Sequence, residues 1–97
     1  MKRTYPSAGR DYKRNDHLKR RYGITLDQWN EMFEDQKGCC AICKRHQSEI
    51  NKRLAVDHNH DTGEVRKLLC TNCNTALGLF YDNQDILLNA VEYLRST

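Results

Sequence analysis

Four cysteines stand in two matched pairs, and their spacing predicts a metal-binding knot. The pairs are Cys40-x-x-Cys43 and Cys70-x-x-Cys73, with 26 residues between them. One C-x-x-C turn presents two thiolates from a compact loop, and a second pair closes a tetrahedral shell of the kind that zinc prefers. We therefore predict a structural zinc ion. Because four thiolates leave no open coordination position, this ion is not expected to carry out catalysis.

One cysteine and two histidines fall outside this set. Cys39 directly precedes the first pair, and we interpret it as a small buried hydrophobe beside the metal site. His46 could in principle replace a cysteine ligand, but a complete sulfur shell makes that unnecessary. We expect both His46 and His17 to be surface residues.

Harder ligands lie between the pairs and just after them, in Asp57-His58-Asn59-His60 and in Asn74. Carboxylate and amide oxygens suit Mg²⁺ better than zinc, and Mg²⁺ commonly completes its shell with water and phosphate oxygens. A neutral imidazole, with a reference pKa of about 6.5, can take a proton from water. Strand alternation would turn His58 away from Asp57. Asp–His neighbours are also common at structural and surface positions, so this interpretation depends on the bracketing cysteines.

Length and composition restrict the fold to one small domain. The chain has 97 residues, of which 38% are apolar and 30% charged, so its core must be thin. The cysteine count is odd, and no apolar N-terminal stretch reads as a signal peptide or membrane span. We therefore expect a cytoplasmic, reducing environment, where paired C-x-x-C units usually bind zinc.

Positive charge is concentrated at the start of the chain. Residues 1–22 carry eight basic residues against two acidic ones, whereas the rest of the chain has an excess of acidic residues. The basic residues are Lys2, Arg3, Arg10, Lys13, Arg14, Lys19, Arg20 and Arg21. This asymmetry is typical of a segment that contacts a polyanion, most often nucleic acid. A solvated helix or a tail that aids solubility is an equally good reading of the charge alone.

Two helices are predicted before the first cysteine pair, preceded by a flexible basic arm at residues 1–10. The first spans about residues 11–22 and stops at Gly23. The second begins at a T-x-x-Q capping box formed by Thr25 and Gln28. Its apolar face consists of Leu26, Trp29, Met32 and Phe33. Trp29 could stack on a base, but its place in this helical stripe favours core packing.

A β-hairpin, or an Ω-like loop on two strands, is predicted over residues 54–69, and two further helices are predicted after it. Residues 54–56 and 65–69 suit strands, and Asp61-Thr62-Gly63 supplies the turn. The second cysteine pair leads into a short helix that carries Asn74. Asp82 or Asn83 caps a last helix, whose apolar stripe we expect to pack on the domain itself rather than on a partner subunit. That stripe is Ile86, Leu87, Ala90, Val91 and Leu94.

The cysteine pairs and the segment between them carry a family resemblance. Cys40-Ala-Ile-Cys43 and the run from Leu54 through Asp57-His58 to Asn74 resemble the phage recombination endonuclease VII family, within the HNH or ββα-metal nucleases. The likeness covers about residues 18–79. It implies a small α+β fold over residues 11–97: a zinc-stapled ββα-metal domain with two N-terminal helices and a C-terminal helix. It also implies DNA as the partner, with no membrane.

The resemblance implies roles for individual residues. Asp57 and Asn74 would hold a catalytic Mg²⁺ or Mn²⁺, and His58 would be the general base for phosphodiester hydrolysis to 5′-phosphate and 3′-hydroxyl ends. His60 would touch phosphate or support the site, or serve structure alone. Arg66 would clamp a phosphate or be an ordinary exposed strand residue. The remaining expected contacts to the DNA backbone are Lys19, Arg20 and Arg21.

One departure from the family bears on specificity. Junction-resolving members have an acidic residue three positions after the asparagine, where this chain has Leu77. We therefore expect nicking or double-strand cleavage of broad sequence preference rather than Holliday-junction resolution, by a monomer or a homodimer. The alternative outside the enzymes is a zinc module that binds nucleic acid without cleaving it. A redox protein would leave the second cysteine pair and the acid–amide pair unexplained.

Overall fold

The computed structural model describes residues 9–97, with side chains from residue 12 onward. Its elements are α1 (Gly9–Tyr22), α2 (Leu26–Asp35), a 3₁₀ turn (Gln47–Glu49), β1 (Ala55–His58), β2 (Val65–Leu69), α3 (Thr71–Leu79) and α4 (Gln84–Arg95). The expected arm at residues 1–10 lies mostly outside the described residues, and α1 includes its last two positions. The small α+β fold is confirmed.

The start of α2 is fixed by the capping box that the sequence predicts. The Thr25 hydroxyl accepts a hydrogen bond from the Gln28 amide at 3.1 Å, and the Gln28 side chain accepts one from the Thr25 amide at 2.7 Å. The Leu26 amide donates to the Asn15 side chain of α1 at 2.8 Å, so the same turn joins the two helices. Trp29 is only 5% exposed and stacks on Phe33, which confirms that it is a core residue.

β1 and β2 form the predicted antiparallel hairpin, with one irregularity. The register pairs are Ala55 with Leu69, Val56 with Leu68, and His58 with Val65. Asp57 is therefore opposite two residues of β2, Arg66 and Lys67, which is the two-against-one pattern of a β-bulge. At the hairpin end, the Asn59 side chain accepts hydrogen bonds from the amides of Asp61 and Thr62.

A thin core joins the hairpin to the helices around it. Its buried members are Leu18, Leu26, Trp29, Cys40, Leu54, Val56, Leu68, Leu69 and Cys70. The Gln36 side chain at the end of α2 takes the place of a strand partner: its amide nitrogen donates to the Leu68 carbonyl at 2.9 Å and its oxygen accepts from the Leu68 amide at 2.9 Å. α3 packs against both strands. The result is a β–β–α unit with α2 attached to its edge.

The C-terminal helix differs from the expectation. Asn83, and not Asp82, caps it by accepting a hydrogen bond from the Ile86 amide at 2.9 Å. None of its side chains is buried, and Val91 and Leu94 are 41% and 70% exposed. Packing of the whole apolar stripe on the domain was therefore the wrong prediction: Ile86, Leu87 and Ala90 are half-buried, whereas Val91 and Leu94 are exposed.

Within residues 9–97, no helix combines the length and the apolar character needed to cross a bilayer.

Candidate metal centre and active site

The four paired cysteines converge as their spacing predicts. Their sulfur atoms all lie within 4.8 Å of one another, and Cys43 Sγ is 3.8 Å from Cys70 Sγ. A tetrahedral site with Zn–S bonds of about 2.3 Å requires sulfur–sulfur separations of about 3.8 Å. The donor set, all sulfur and partly buried, thus fits zinc in both chemistry and size.

Local hydrogen bonds hold the two cysteine turns in this position. The Ala41 amide donates to the Leu68 carbonyl at 3.1 Å, which fixes the first turn against β2. The second turn is the first turn of α3, since Cys70 is the N-cap of that helix. Amides also point at sulfur, from Ile42 to Cys40 and from Cys73 to Cys70, each at 3.4 Å. Such N–H···S bonds stabilise thiolates.

Two thiols of the cluster have pKa values that are shifted in opposite directions. Burial alone would raise the pKa of Cys40, but hydrogen bonds with Cys70, Cys43 and Ile42 outweigh it and lower the pKa to about 6. Burial, followed by the neighbouring sulfurs, raises the pKa of Cys73 to about 12. The cause is mutual: a thiolate at one position disfavours a second negative charge beside it. A dication in the centre would remove that conflict.

The cysteine and the histidine nearest this cluster stay outside it. Cys39 was predicted to be buried and is half-buried in the structure, where it pairs with His46 through an isolated β-bridge. His46 is exposed and accepts a hydrogen bond from the Ser48 amide through Nδ1, capping the 3₁₀ turn. Neither belongs to the group of sulfur ligands, and His17 is exposed on α1.

Asp57 is buried, and its charge is balanced by Arg66. The Arg66 Nε donates to one Asp57 oxygen at 2.6 Å and its second guanidinium nitrogen donates to the other at 3.0 Å. The Asp57 side chain is only 9% exposed, against 35% for that of Arg66. These contacts raise the pKa of Arg66, the hydrogen bond to Asp57 being the largest cause. Arg66 is thus neither free nor simply exposed.

A second carboxylate, Asp82, shares the same guanidinium. One Arg66 nitrogen donates to Asp82 Oδ2 at 3.1 Å while also serving Asp57. The sequence pattern marks Asp82 only as a possible helix cap. Asp82 reaches Arg66, which is sixteen positions earlier in the chain, because the turn after α3 brings it back to β2. No short-range pattern signals such a contact.

His58 lies beside His60 and Tyr22. The ring centroids of His58 and His60 are 4.6 Å apart, and those of His58 and Tyr22 are 5.7 Å apart. Tyr22 in turn receives a hydrogen bond from Arg21 Nε at 3.1 Å, with the Arg21 guanidinium over its ring. The basic end of α1 thereby borders the histidine pair. Tyr22 was missed by sequence reasoning, although it ends the basic helix.

Asn74 lies in the first half of α3, directly after a cysteine of the cluster. It is half-buried, and its amide donates to the Cys70 carbonyl at 3.0 Å, which ties it to the second cysteine turn. Among the described residues its side-chain amide makes no hydrogen bond, so its oxygen is available to a ligand. Because α3 packs on β1, the helix of Asn74 and the strand of Asp57 are neighbours.

Lys19 and Arg20 lie in the last turn of α1 and are exposed. Arg20 makes an ion pair with Asp16 at 2.8 Å, with both side chains largely in solvent. Exposed pairs of this kind contribute little to stability.

Similarity to known proteins identifies the family of this chain. The sequence profile described as recombination endonuclease VII matches residues 15–96. The chain belongs to the recombination endonuclease VII family. Two relatives are the Gene 59 proteins of Mycobacterium phages D29 and L5, which are 48% identical over 75 residues and 49% identical over 74 residues, or 76% and 75% of this chain. It spans 45% and 44% of their lengths, less than half of each.

A solved structure in this fold class is also similar to this endonuclease VII family chain. The β-β-α-Me type II restriction endonuclease Hpy99I matches 84% of the chain with a TM-score of 0.54 and 34% sequence identity. The match covers 47% of the Hpy99I chain. The ββα-metal fold expected from the sequence is thereby confirmed, with the sulfur cluster as its staple.

Proposed function

We propose that this chain is a metal-dependent DNA endonuclease of HNH type. The observation that carries the proposal is a buried carboxylate, Asp57, at the end of β1. It lies next to a half-exposed histidine and beside the helix of Asn74, whose side-chain amide has no hydrogen-bond partner among the described residues. Membership of the recombination endonuclease VII family and likeness to a β-β-α-Me restriction endonuclease support nuclease chemistry. Hydrolysis of phosphodiester bonds is the activity that these features fit.

The oxygen donors fit a hard ion. Asp57 and Asn74 would hold Mg²⁺ or Mn²⁺, and the remaining positions would be filled by water and phosphate. Such an ion, when bound, neutralises charge on the phosphate and on the departing 3′ oxygen. The bonds from Arg66 hold the buried Asp57 carboxylate in one orientation, and the backbone bond from Asn74 to Cys70 fixes the point on α3 from which the Asn74 side chain projects.

His58 acts as the general base in this proposal. Its ring packs against His60 and Tyr22, which limits its rotation, and it remains partly open to solvent. It takes a proton from the attacking water, which yields 5′-phosphate and 3′-hydroxyl ends. His60 lies close enough to assist with phosphate or with the orientation of His58.

The end of α1 is the proposed DNA backbone contact. Lys19, Arg20 and Arg21 are exposed there, and Arg21 reaches the histidine pair through Tyr22. Backbone contacts of this kind position a duplex without reading its bases.

The residue three positions after Asn74 bears on the kind of cleavage. This residue is Leu77, which packs against the core, where junction-resolving members of the family have an acidic residue. We therefore propose nicking or double-strand cleavage rather than junction resolution. The relatives in phages suggest action in the host cytoplasm.

Plasmid nicking tests the proposal. Wild type should relax supercoiled plasmid when Mg²⁺ is supplied and should lose this activity when Mg²⁺ is left out. His58→Ala should reduce the rate at least about 100-fold, because general-base catalysis contributes 10²–10⁴-fold. His17→Ala, an exposed histidine on α1, is the matched control and should cut like wild type. Equal cutting by His58→Ala and His17→Ala would refute the assignment.

One observation favours a second candidate, a zinc module that binds nucleic acid without cleaving it. Both oxygens of Asp57 are bonded to Arg66, which is also how an inert buried ion pair would look. This candidate predicts DNA binding without Mg²⁺-dependent cleavage in any preparation loaded with zinc. The nicking assay, run together with a gel-shift assay, separates the two.

A further inference from the structure

The Arg66 guanidinium binds both oxygens of the Asp57 carboxylate and leaves little room there for another cation. The guanidinium meets the carboxylate side-on with two bonds, at 2.6 and 3.0 Å. The carboxylate is 9% exposed, so only a small part of it remains open to solvent. A divalent ion that added to this pair would lie close to a fixed positive charge on the same carboxylate. Repulsion between two cations at such short range opposes that arrangement.

Asp82 is a second carboxylate with which Arg66 can form an ion pair. It already accepts a hydrogen bond from the guanidinium at 3.1 Å, and its side chain is 26% exposed. Its position is built into the end of α3: the Asp82 amide donates to the Leu77 carbonyl at 2.8 Å and the Tyr81 amide to the Gly78 carbonyl at 3.0 Å. This is a Schellman motif, with Tyr81 and Asp82 both at positive φ.

The charges of the three groups favour exchange. One guanidinium between two carboxylates leaves a net negative charge, which attracts a dication. Arg66 has the longest and most exposed of the three side chains, whereas Asp57 is fixed within a strand. Arg66 is therefore the group that can move, and Asp82 is the anion that can retain it close by.

Building on the proposed function, we propose that Arg66 is the resident counter-ion of Asp57, that a divalent ion displaces it, and that Asp82 retains the displaced guanidinium. Arg66 and Asp82 are then positioning residues for metal loading. The exchange makes the metal-free site electrically balanced, and it leaves a guanidinium beside the site once the metal is bound.

The wild-type protein, loaded with zinc, provides the first test. The Arg66 Nε–H proton can be followed by NMR and assigned with Arg66→Lys. Titration with Mg²⁺ should shift this signal and speed its exchange with water, because Nε loses its 2.6 Å bond to Asp57. An Arg66 signal that stays constant while the backbone amides of Asp57 and Asn74 respond to Mg²⁺ would overturn the exchange.

Mn²⁺ binding, measured from the EPR signal of free Mn²⁺, provides the second test. Arg66→Gln should tighten binding and Asp82→Asn should weaken it, each by about tenfold. Lys67→Gln, on the same strand, removes an equal charge without touching the pair and should have a smaller effect. Asp82→Asn should lose its effect in the Arg66→Gln background, because Asp82 acts through Arg66.

The outcomes distinguish this inference from the function on which it rests. Mn²⁺ binding that is abolished by Asp57→Asn but is unchanged by Arg66→Gln and Asp82→Asn would overturn the exchange alone. Equal effects of Asp82→Asn with and without Arg66 would do the same, since Asp82 would then act directly. Absence of any binding that depends on Asp57 would overturn both the exchange and the proposed metal site.

Discussion

Cys40 and Cys73 belong to one sulfur cluster, yet they hold their protons very differently. The lowered pKa of Cys40, about 6, makes it a thiolate near neutrality, whereas the raised pKa of Cys73, about 12, keeps its proton in place. Zinc binds thiolates, so it must remove the proton of Cys73 as it binds. The pair therefore couples zinc binding to pH.

This coupling gives a prediction for zinc loading. At pH 7.5 binding should release the Cys73 proton, and the apparent zinc affinity should rise with pH. It should fall steeply as the pH drops through about 6, where Cys40 also becomes protonated. Calorimetry in buffers of different ionisation enthalpy measures the proton release directly. A binding enthalpy that does not depend on the buffer would contradict the prediction, and Cys39→Ser should behave like wild type.

At this scale, the sequence predicted the residues whose partners are specified by short spacing. The cysteine pairs are such a case, because each C-x-x-C turn already brings two sulfurs together. The environment of Asp57 could not be predicted in the same way. Arg66 pairs with it only because a bulge places two residues of β2 opposite Asp57, and Asp82 joins them through a turn at the end of α3. Both depend on tertiary contacts.

Two helices end with the same backbone device, and each leaves residues at positive φ. α2 ends with Lys37 at φ +55° and Gly38 at φ +73°, and α3 ends with Tyr81 at φ +57° and Asp82 at φ +53°. Glycine accepts this conformation without cost, whereas other residues are strained in it by about 1–2 kcal/mol. Gly38 also lacks room: a Cβ there would lie 2.5 Å from His46 Nε2 and 3.0 Å from Phe33 Cζ.

Substitution of two glycines should therefore have opposite effects on stability. Gly38→Ala should destabilise the domain by about 1–3 kcal/mol, because it adds both strain and a close contact. Gly78→Ala should be neutral or stabilise it by up to about 1 kcal/mol, because Gly78 lies in α3 with no atom within 4 Å of the added Cβ. Urea unfolding of the zinc-loaded variants measures both. Destabilisation by the two substitutions to the same extent would contradict the argument.

At the scale of elements, the sequence predicted α2, the hairpin and the helix starts well. Capping residues, alternating apolar positions and turn residues are local signals, and Thr25 with Gln28 is the clearest of them. The packing of α4 was predicted wrongly because an amphipathic stripe shows that a helix has an apolar face, not what covers it.

Over the whole molecule, positive charge and the proposed catalytic residues are close together. The basic last turn of α1 adjoins His58 through Tyr22 and Arg21. The sequence revealed the charge asymmetry but not this proximity, which results from the packing of α1 and α2 through Asn15 and Leu18. The structure therefore places the basic end of α1 beside the proposed site of cleavage.

Removal of this charge should weaken DNA binding and its dependence on salt. A triple variant with Lys19, Arg20 and Arg21 changed to Gln should lower the slope of log K against log salt concentration by about 2–3, if each residue neutralises one phosphate. A second triple variant, at Lys44, Arg45 and Lys52 near the cysteine cluster, removes the same charge elsewhere. Fluorescence anisotropy with a labelled duplex gives both slopes. Identical slopes for the two triple variants would show that only net charge matters.

In the proposed nuclease, the sulfur cluster would fix an order of assembly for the two ions. The first cysteine turn is attached to β2 and the second opens the helix that bears Asn74, so the place proposed for the hard ion would be complete only after the soft ion had drawn these segments together. A cell short of zinc would accumulate inactive chains regardless of how much magnesium it contained. Scarcity of the ion that takes no part in the reaction would then govern how much enzyme becomes competent.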